Sequence, residues 1–250
     1  MKISARDIDH LTLTPSDPEA VAGRLAQLGF TLTPEGVEPR CVCFQPDRDD
    51  IPTYVELLGD EPAPPALAVN VAELDGEPTS HAWETDEGFT IEASVVTGAL
   101  EGPVPWRPVK HETAEAFMEP EWIVHPNGAL GLTAVHVVAA EPKETADALK
   151  AAWGATVEEI FDGCLLVRTG AVELLVWSTL AWQLEYKAIE VMAPDELPAI
   201  VGITVAVERA RPLQALLRAN NVPFGLAEGD RVLVAAEQGA GVMIEFLPQT

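Results

Sequence analysis

Three glutamates on apolar, strand-like stretches are the first residues in this chain whose types and spacing could do chemistry. They lie in the tetrads Val55-Glu56-Leu57-Leu58, Val172-Glu173-Leu174-Leu175 and Ile244-Glu245-Phe246-Leu247. Side chains alternate along a strand, so each glutamate faces away from its apolar neighbours. A buried carboxylate needs water, a metal ion or a basic group as its partner. These glutamates are therefore candidates for acid–base or metal chemistry.

A histidine or threonine precedes each of these glutamates, near the start of the same sequence unit. His10 lies in the alternating stretch Ile8–Thr14, where Leu11 and Leu13 share the opposite face. His136 stands in the corresponding place before Glu173, and Thr204 before Glu245. The side on which His136 lies depends on the strand register, because a shift of one residue reverses it. His125 precedes a proline in a turn, and we interpret it as structural.

The elements that position these residues repeat along the chain. An opening strand, a helix and several closing strands make one unit, and the helix signals are Pro18 to Gly29, Pro142 to Gly154 and Arg211 to Asn220. The second unit, near residues 66–111, repeats them least clearly; residues 78–88 hold at most two helical turns. We predict an α+β fold of four βαβββ units that pair into cupped mixed sheets. The predicted halves are 1–126 and 127–250, joined near the turn His125-Pro126-Asn127-Gly128.

This arrangement resembles the vicinal-oxygen-chelate superfamily, which includes glyoxalase I, extradiol dioxygenases and bleomycin-resistance proteins. The motifs that carry the resemblance are Ile8-Asp9-His10-Leu11, Tyr54-Val55-Glu56-Leu57-Leu58, His111-Glu112-Thr113 and His125-Pro126-Asn127-Gly128-Ala129. More narrowly, they resemble four-unit proteins with glyoxalase-like domains. The resemblance implies fold more specifically than it implies reaction, because one fold hosts many chemistries.

The resemblance also implies a metal site. Its members hold one divalent ion in a cup, with ligands from opening and closing strands. Carried over, this gives His10, Glu56 and His111 as ligands for zinc, nickel, manganese or iron. Asn70 stands at the fourth place, where relatives carry a ligand, and Thr204 stands at the matching place in the other half. Glu173 and Glu245 would be the acid–base groups if the second cup is the active one.

Two functions follow from this reading. One is a metalloenzyme acting on a small oxygen-rich molecule, with lyase, isomerase and dioxygenase chemistry all open. The alternative is a metal-free protein that binds or sequesters a small molecule, as bleomycin-resistance proteins do. Asn70 and Thr204 favour the alternative, since an amide and a hydroxyl are weak ligands for transition metals.

Composition narrows the choice of partners. The 250-residue chain has 40 acidic and 15 basic residues, a formal net charge of -25, which repels nucleic acid and anionic lipid. The three cysteines do not form a disulfide framework, and the N-terminus has no apolar signal core. We expect a cytoplasmic protein with a small-molecule ligand, and leave a homodimer open.

Overall fold

The computed structural model describes residues 3–34, 39–48, 51–59, 61–74, 79–84, 90–95, 102–114, 117, 119–191 and 194–249. The elements of the first half are β1 (Ala5–Thr14), α1 (Pro18–Gln27), β2 (Arg40–Arg48), β3 (Ile51–Leu57), β4 (Ala63–Val71), β5 (Thr79–Glu84), β6 (Thr90–Val95), β7 (Trp106–His111) and α2 (Pro120–Ile123). Those of the second half are β8 (Ala129–Ala139), α3 (Pro142–Trp153), β9 (Thr156–Phe161), β10 (Cys164–Arg168), β11 (Glu173–Ser178), α4 (Thr179–Glu185), β12 (Ala199–Val207), α5 (Ala210–Ala219), β13 (Gly225–Leu226), β14 (Val232–Val234) and β15 (Met243–Pro248).

Each half forms one mixed sheet, and the two sheets are built in the same way. The first has seven strands in the order β2-β3-β1-β4-β7-β6-β5, and the second has eight in the order β13-β14-β15-β12-β8-β11-β10-β9. In the first, the opening strands β1 and β4 pair antiparallel, and each is parallel to its own closing strand, β3 or β7. In the second, β8 and β12 pair antiparallel, beside β11 and β15. The α+β fold of paired, cupped sheets is therefore confirmed.

The second unit differs from the expectation in its middle. Residues 79–84 form the strand β5, which pairs antiparallel with β6, so the short helix expected within residues 78–88 is wrong for this segment. The strand is defined by its pairing with β6, which satisfies the backbone N–H and C=O groups of the segment.

The helices α1, α3 and α5 form where the sequence predicts them, and α1 and α3 each have a capping residue at one end. In α1, the side chain of Asp17 accepts a hydrogen bond from the backbone N–H of Ala20, and Pro18 opens the helix. Gly154 ends α3 in the left-handed conformation, with φ of 72°. The buried faces of α1, α3 and α5 join the apolar faces of both sheets in one core. Leu11 and Leu13 lie in that core, which leaves His10 and Thr12 on the opposite, cupped face.

Two buried polar residues connect the halves. The carboxylate of Asp7, on β1, accepts hydrogen bonds from the backbone N–H groups of Ala171 (2.8 Å) and Val172 (3.0 Å). A Cβ at Gly170 would lie 2.3 Å from the Asp7 carboxyl carbon, so this close approach requires glycine. Asn127, in the central turn, donates to the carbonyl of Leu28 and accepts from the N–H of Ala129. None of the helices in the described ranges is long and apolar enough to cross a membrane.

Candidate functional site

A β-bulge in the first opening strand brings two neighbouring side chains into the same cup. Along β1, Ile8 pairs with Val69 and His10 pairs with Ala68, so Asp9 is an extra residue without a partner on β4. Simple alternation would send Asp9 and His10 to opposite faces. The bulge instead places both side chains in one cup, where Asp9 contacts both His10 and His111. Asp9 and His10 are almost completely buried, with 0% and 2% exposure.

Asp9 is the centre of a hydrogen-bonded cluster in this N-terminal cup. Its Oδ1 lies 2.7 Å from Nδ1 of His10 and 2.9 Å from Nε2 of His111, and each ring N–H can donate to it. Its Oδ2 accepts from the side-chain amide of Asn70 at 2.9 Å. Burial alone would raise the pKa of Asp9, but the charges of, and hydrogen bonds from, His111 and His10 hold that pKa well below its usual range. Asp9 is therefore a carboxylate at neutral pH.

The opposite edge of the His10 ring faces an ion pair. Nε2 of His10 lies 3.6 Å from Oε2 of Glu56 and 3.5 Å from Nη2 of Arg107. The Glu56 oxygen accepts from Arg107 Nη2 and from the hydroxyl of Thr12, both at 2.8 Å. The guanidinium thus occupies the space next to the Glu56 carboxylate. The ring of Tyr54 stacks on His10 with a centroid separation of 4.2 Å, which fixes the plane of the imidazole.

This cup therefore contains two sets of donor atoms that could bind a metal ion. The ligand atoms of Asp9, His10 and His111 all lie within 4.8 Å of one another, and one carboxylate with two imidazoles is a donor set suited to first-row divalent metals. In the predicted set of His10, Glu56 and His111, His10 would bind the ion through Nε2, because Glu56 lies next to that nitrogen. Asp9 lies next to the other ring nitrogen, Nδ1. One imidazole cannot bind a single ion through both nitrogens, and Arg107 already lies beside Glu56. The geometry favours the set that contains Asp9.

Two buried donor atoms in the cup have no hydrogen-bond partner among the described residues. They are Nδ1 of His111 and Nε of Arg107. A histidine that binds a metal through one ring nitrogen usually donates a hydrogen bond from the other. For His111 that second nitrogen is Nδ1, and a water or substrate oxygen would accept its hydrogen bond. The donor set fits a divalent ion in atom type and proximity.

The C-terminal cup has a different arrangement around its own histidine. Nδ1 of His136 accepts a hydrogen bond from the indole N–H of Trp177 at 3.1 Å, so the proton resides on Nε2. Nε2 donates to the hydroxyl of Thr204 at 2.7 Å, and that hydroxyl donates to Oε2 of Glu245 at 2.8 Å. Burial lowers the pKa of His136 to about 4, so the ring is neutral at physiological pH. Both nitrogens are occupied.

Glu245 and Glu173, the two acid–base candidates, both line a cavity of about 440 Å³ in this cup. Glu245 also accepts from the hydroxyl of Tyr186 at 3.1 Å and forms an ion pair with Arg231 at 2.8 Å. Glu173 is partly exposed and forms an ion pair with Arg168. The structure thus brings His10, Glu56 and His111 together in one cup, and places Glu173 and Glu245 in the other.

The remaining polar candidates have structural contacts. His125 bridges two segments: its Nδ1 accepts from the backbone N–H of Thr31 at 3.0 Å, and its Nε2 donates to the carbonyl of Cys43 at 2.9 Å. Its interpretation as a structural residue agrees with these contacts. Burial raises the pKa of the Cys43 thiol to about 12, so this cysteine is an inert core residue.

Several residues of both cups were not selected from the sequence. Asp9 was missed because a bulge cannot be predicted from alternation. Arg107 lies four residues before His111 on β7, so once the resemblance had indicated His111, strand alternation would have placed Arg107 on the same face. Tyr186 and Arg231 reach their cup from α4 and from the turn before β14, and no local sequence pattern indicates that contact.

Comparison with known proteins identifies the fold. No protein-family description matches the sequence, and no curated protein matches it. Among solved structures, the Mn(II)-bound glyoxalase from Novosphingobium aromaticivorans aligns with a TM-score of 0.59 and 9% identity over 97% of this chain and 82% of that one. A catechol 2,3-dioxygenase aligns at 0.56 and 11%, over 99% and 91%. A homoprotocatechuate 2,3-dioxygenase variant from B. fuscum aligns at 0.59 and 10%, over 99% and 72%.

These likenesses extend over nearly the whole chain, and the sheet topology accounts for them. The protein has the vicinal-oxygen-chelate fold, so the fold that the resemblance implied is confirmed. It is a four-unit example, with two paired units in each half and a cup in each pair.

Proposed function

We propose that the protein is a glyoxalase-like metalloenzyme whose N-terminal cup binds one divalent ion through Asp9, His10 and His111. The observation that carries this proposal is the convergence of one carboxylate and two imidazoles, with ligand atoms within 4.8 Å of one another. The names of the structural neighbours, a Mn(II)-bound glyoxalase and catechol-type dioxygenases, support metal-dependent chemistry on a small oxygen-bearing molecule. A bound divalent ion would act as a Lewis acid on the oxygens of such a molecule.

The chain's own residues have distinct roles in this proposal. Asn70 holds Asp9 in place through its hydrogen bond to Oδ2, and Tyr54 fixes the ring of His10 by stacking. Glu56 lies beside the cluster with Oε2 bound by Thr12 and Arg107, while its Oε1 has no hydrogen-bond partner in the described part of the chain. That oxygen can accept a proton from a substrate. Arg107 orients the carboxylate through its charge-assisted hydrogen bond.

The proposal is tested by titrating Mn(II) into chelator-treated protein in a calorimeter. We expect one site per chain, and we expect Asp9→Asn and His111→Gln each to weaken binding by roughly tenfold or more, since loss of even outer contacts costs that much. Glu173→Gln is the matched control, because it removes one negative charge from the other cup. Circular dichroism confirms that each variant is folded.

The results separate the two functions. If Asp9→Asn weakens binding and Glu173→Gln leaves it unchanged, the N-terminal metal site is supported. If the wild type binds no Mn(II), Zn(II), Ni(II) or Fe(II), the metalloenzyme proposal is wrong, and the metal-free ligand-binding function replaces it.

A further inference from the structure

The cavity of the C-terminal cup is a second site, separate from the cluster around Asp9. Its volume of about 440 Å³ is in the range that accommodates small organic ligands. Phe161, Trp177 and Tyr186 contribute aromatic surface to its lining, and Ile160, Leu175 and Leu247 contribute aliphatic surface. Its charged lining residues are Glu173, Glu185, Glu245 and Arg231.

The walls of this cavity are fixed before any ligand enters. The indole of Trp177 is held by its hydrogen bond to His136, and the hydroxyl of Tyr186 is held by Glu245. Phe161 packs against Trp177 with ring centroids 5.2 Å apart. Phe161 itself is 44% exposed, so an aromatic edge of the cavity is open to solvent. A site with pre-positioned aromatic rings loses little entropy on binding.

Arg231, the arginine among the cavity's lining residues, is already bound by protein acceptors, so an anionic ligand would compete with them for it. Nη1 of Arg231 donates to Glu245 at 2.8 Å, and Nη2 donates to Glu185 at 2.6 Å. Its Nε donates to the carbonyl of Glu228 at 3.0 Å. All three nitrogens of the guanidinium therefore have protein partners. The cation serves to neutralise two of the carboxylates.

The donor atoms around His136 in this cup that could bind a metal ion are already hydrogen-bonded to protein groups. Both ring nitrogens of His136 are hydrogen-bonded, and the hydroxyl of Thr204 is engaged with His136 and Glu245. Binding an ion through His136 would break its hydrogen bond with either Trp177 or Thr204, and an ion on Glu245 would compete with Arg231. No set of three carboxylate, imidazole or thiol ligand atoms among the described residues of this cup lies as close together as that of Asp9, His10 and His111.

We propose that the C-terminal cavity binds an organic cation with an apolar body, such as a tertiary amine or a quaternary ammonium compound. The three carboxylates of the lining face two guanidinium groups, Arg231 within the lining and Arg168 paired with Glu173 from outside it, which leaves a net negative charge. The faces of aromatic rings attract such cations, and the aliphatic residues accommodate the body of the ligand. The chain's net charge of -25 raises the local concentration of cations further. This site is independent of the metal proposed for the N-terminal cup.

The test compares three small probes of similar size: benzyltrimethylammonium, benzyl alcohol and phenylacetate. Saturation-transfer NMR detects binding to the full chain, and calorimetry gives the dissociation constants. We expect the cation to bind at least roughly tenfold more tightly than phenylacetate, because its charge complements the lining. Phe161→Leu keeps an apolar side chain but removes the ring, and it should weaken binding of the cation about threefold while changing binding of benzyl alcohol little.

Two charge variants distinguish a built site from the general field of an acidic protein. Glu173→Gln removes a carboxylate that lines the cavity, and Glu159→Gln removes an exposed carboxylate from the neighbouring edge strand β9, outside the cavity. We expect Glu173→Gln to weaken binding of benzyltrimethylammonium about fivefold and Glu159→Gln to leave it nearly unchanged. Equal effects of the two variants, equal binding of phenylacetate, or no binding of the cation would each overturn the proposal. None of these results depends on metal in the other cup.

Discussion

Lowering the pH should destabilise this protein through His136 before its carboxylates titrate. The folded-state pKa of His136 is about 4 because the ring is buried, and the unperturbed value is 6.5. The unfolded chain therefore takes up a proton at a higher pH than the folded chain does. The stability contributed by neutral His136 is fully present above pH 6.5 and is lost as the pH falls towards 4.

The magnitude follows from the separation of the two pKa values. Each unit is worth about 1.36 kcal/mol, so moving from pH 7 to pH 5 should lower the free energy of unfolding by about 2 kcal/mol through this residue. Urea unfolding followed by tryptophan fluorescence at the two pH values measures the change. Asp9, whose pKa lies far below this window, does not contribute to it.

The variant His136→Gln isolates this contribution from that of other histidines. Its amide oxygen can accept from Trp177 and its amide nitrogen can donate to Thr204, but the side chain does not titrate. Burial also lowers the pKa of His125, and that effect is common to both proteins. We expect the loss of stability between pH 7 and pH 5 to be about 2 kcal/mol smaller in the variant. An identical pH dependence in both proteins would refute the account of His136 as a buried neutral residue.

Two further predictions concern parts of the fold outside the cups. Asp7→Ala should lower the free energy of unfolding, measured by urea unfolding, by about 3 kcal/mol, since it leaves the backbone N–H groups of Ala171 and Val172 without their acceptor. The control Asp147→Ala removes an exposed ion pair with Lys143 and should have almost no effect. The buried cysteines Cys41, Cys43 and Cys164 should resist a thiol reagent at pH 8 in the folded protein and react completely in urea, because burial raises the pKa of each thiol. Rapid labelling of the folded protein would contradict this expectation.

Much of the architecture could be predicted from the sequence because it depends on local signals. Pro142 and Gly154 mark the ends of α3, and the alternation around His10 defines which face of β1 is polar. The short segment 79–84 could not be assigned in the same way, because its strand is defined by pairing with β6 rather than by its own sequence. Propensity is overridden by such tertiary pairing.

The site was predictable only in part, and the reason lies in side-chain geometry. Alternation placed His10 and Glu56 on one cupped face, the family resemblance added His111, and the structure brings the three together there. It could not predict that Asp9 joins them, since the bulge depends on the register between β1 and β4. It also could not predict which edge of the His10 ring faces which carboxylate. The proposed metal site depends on that detail.

The most direct test of the metal site is an anomalous difference map from crystals soaked in Mn(II), collected at the manganese absorption edge. We expect one peak per chain, bounded by Oδ1 of Asp9, Nδ1 of His10 and Nε2 of His111, because the ligand atoms of these residues already lie within 4.8 Å of one another. A peak between Nε2 of His10 and Glu56 would instead support the ligand set predicted from the sequence. A peak beside Glu245 in the C-terminal cup, or no peak at all, would contradict the account.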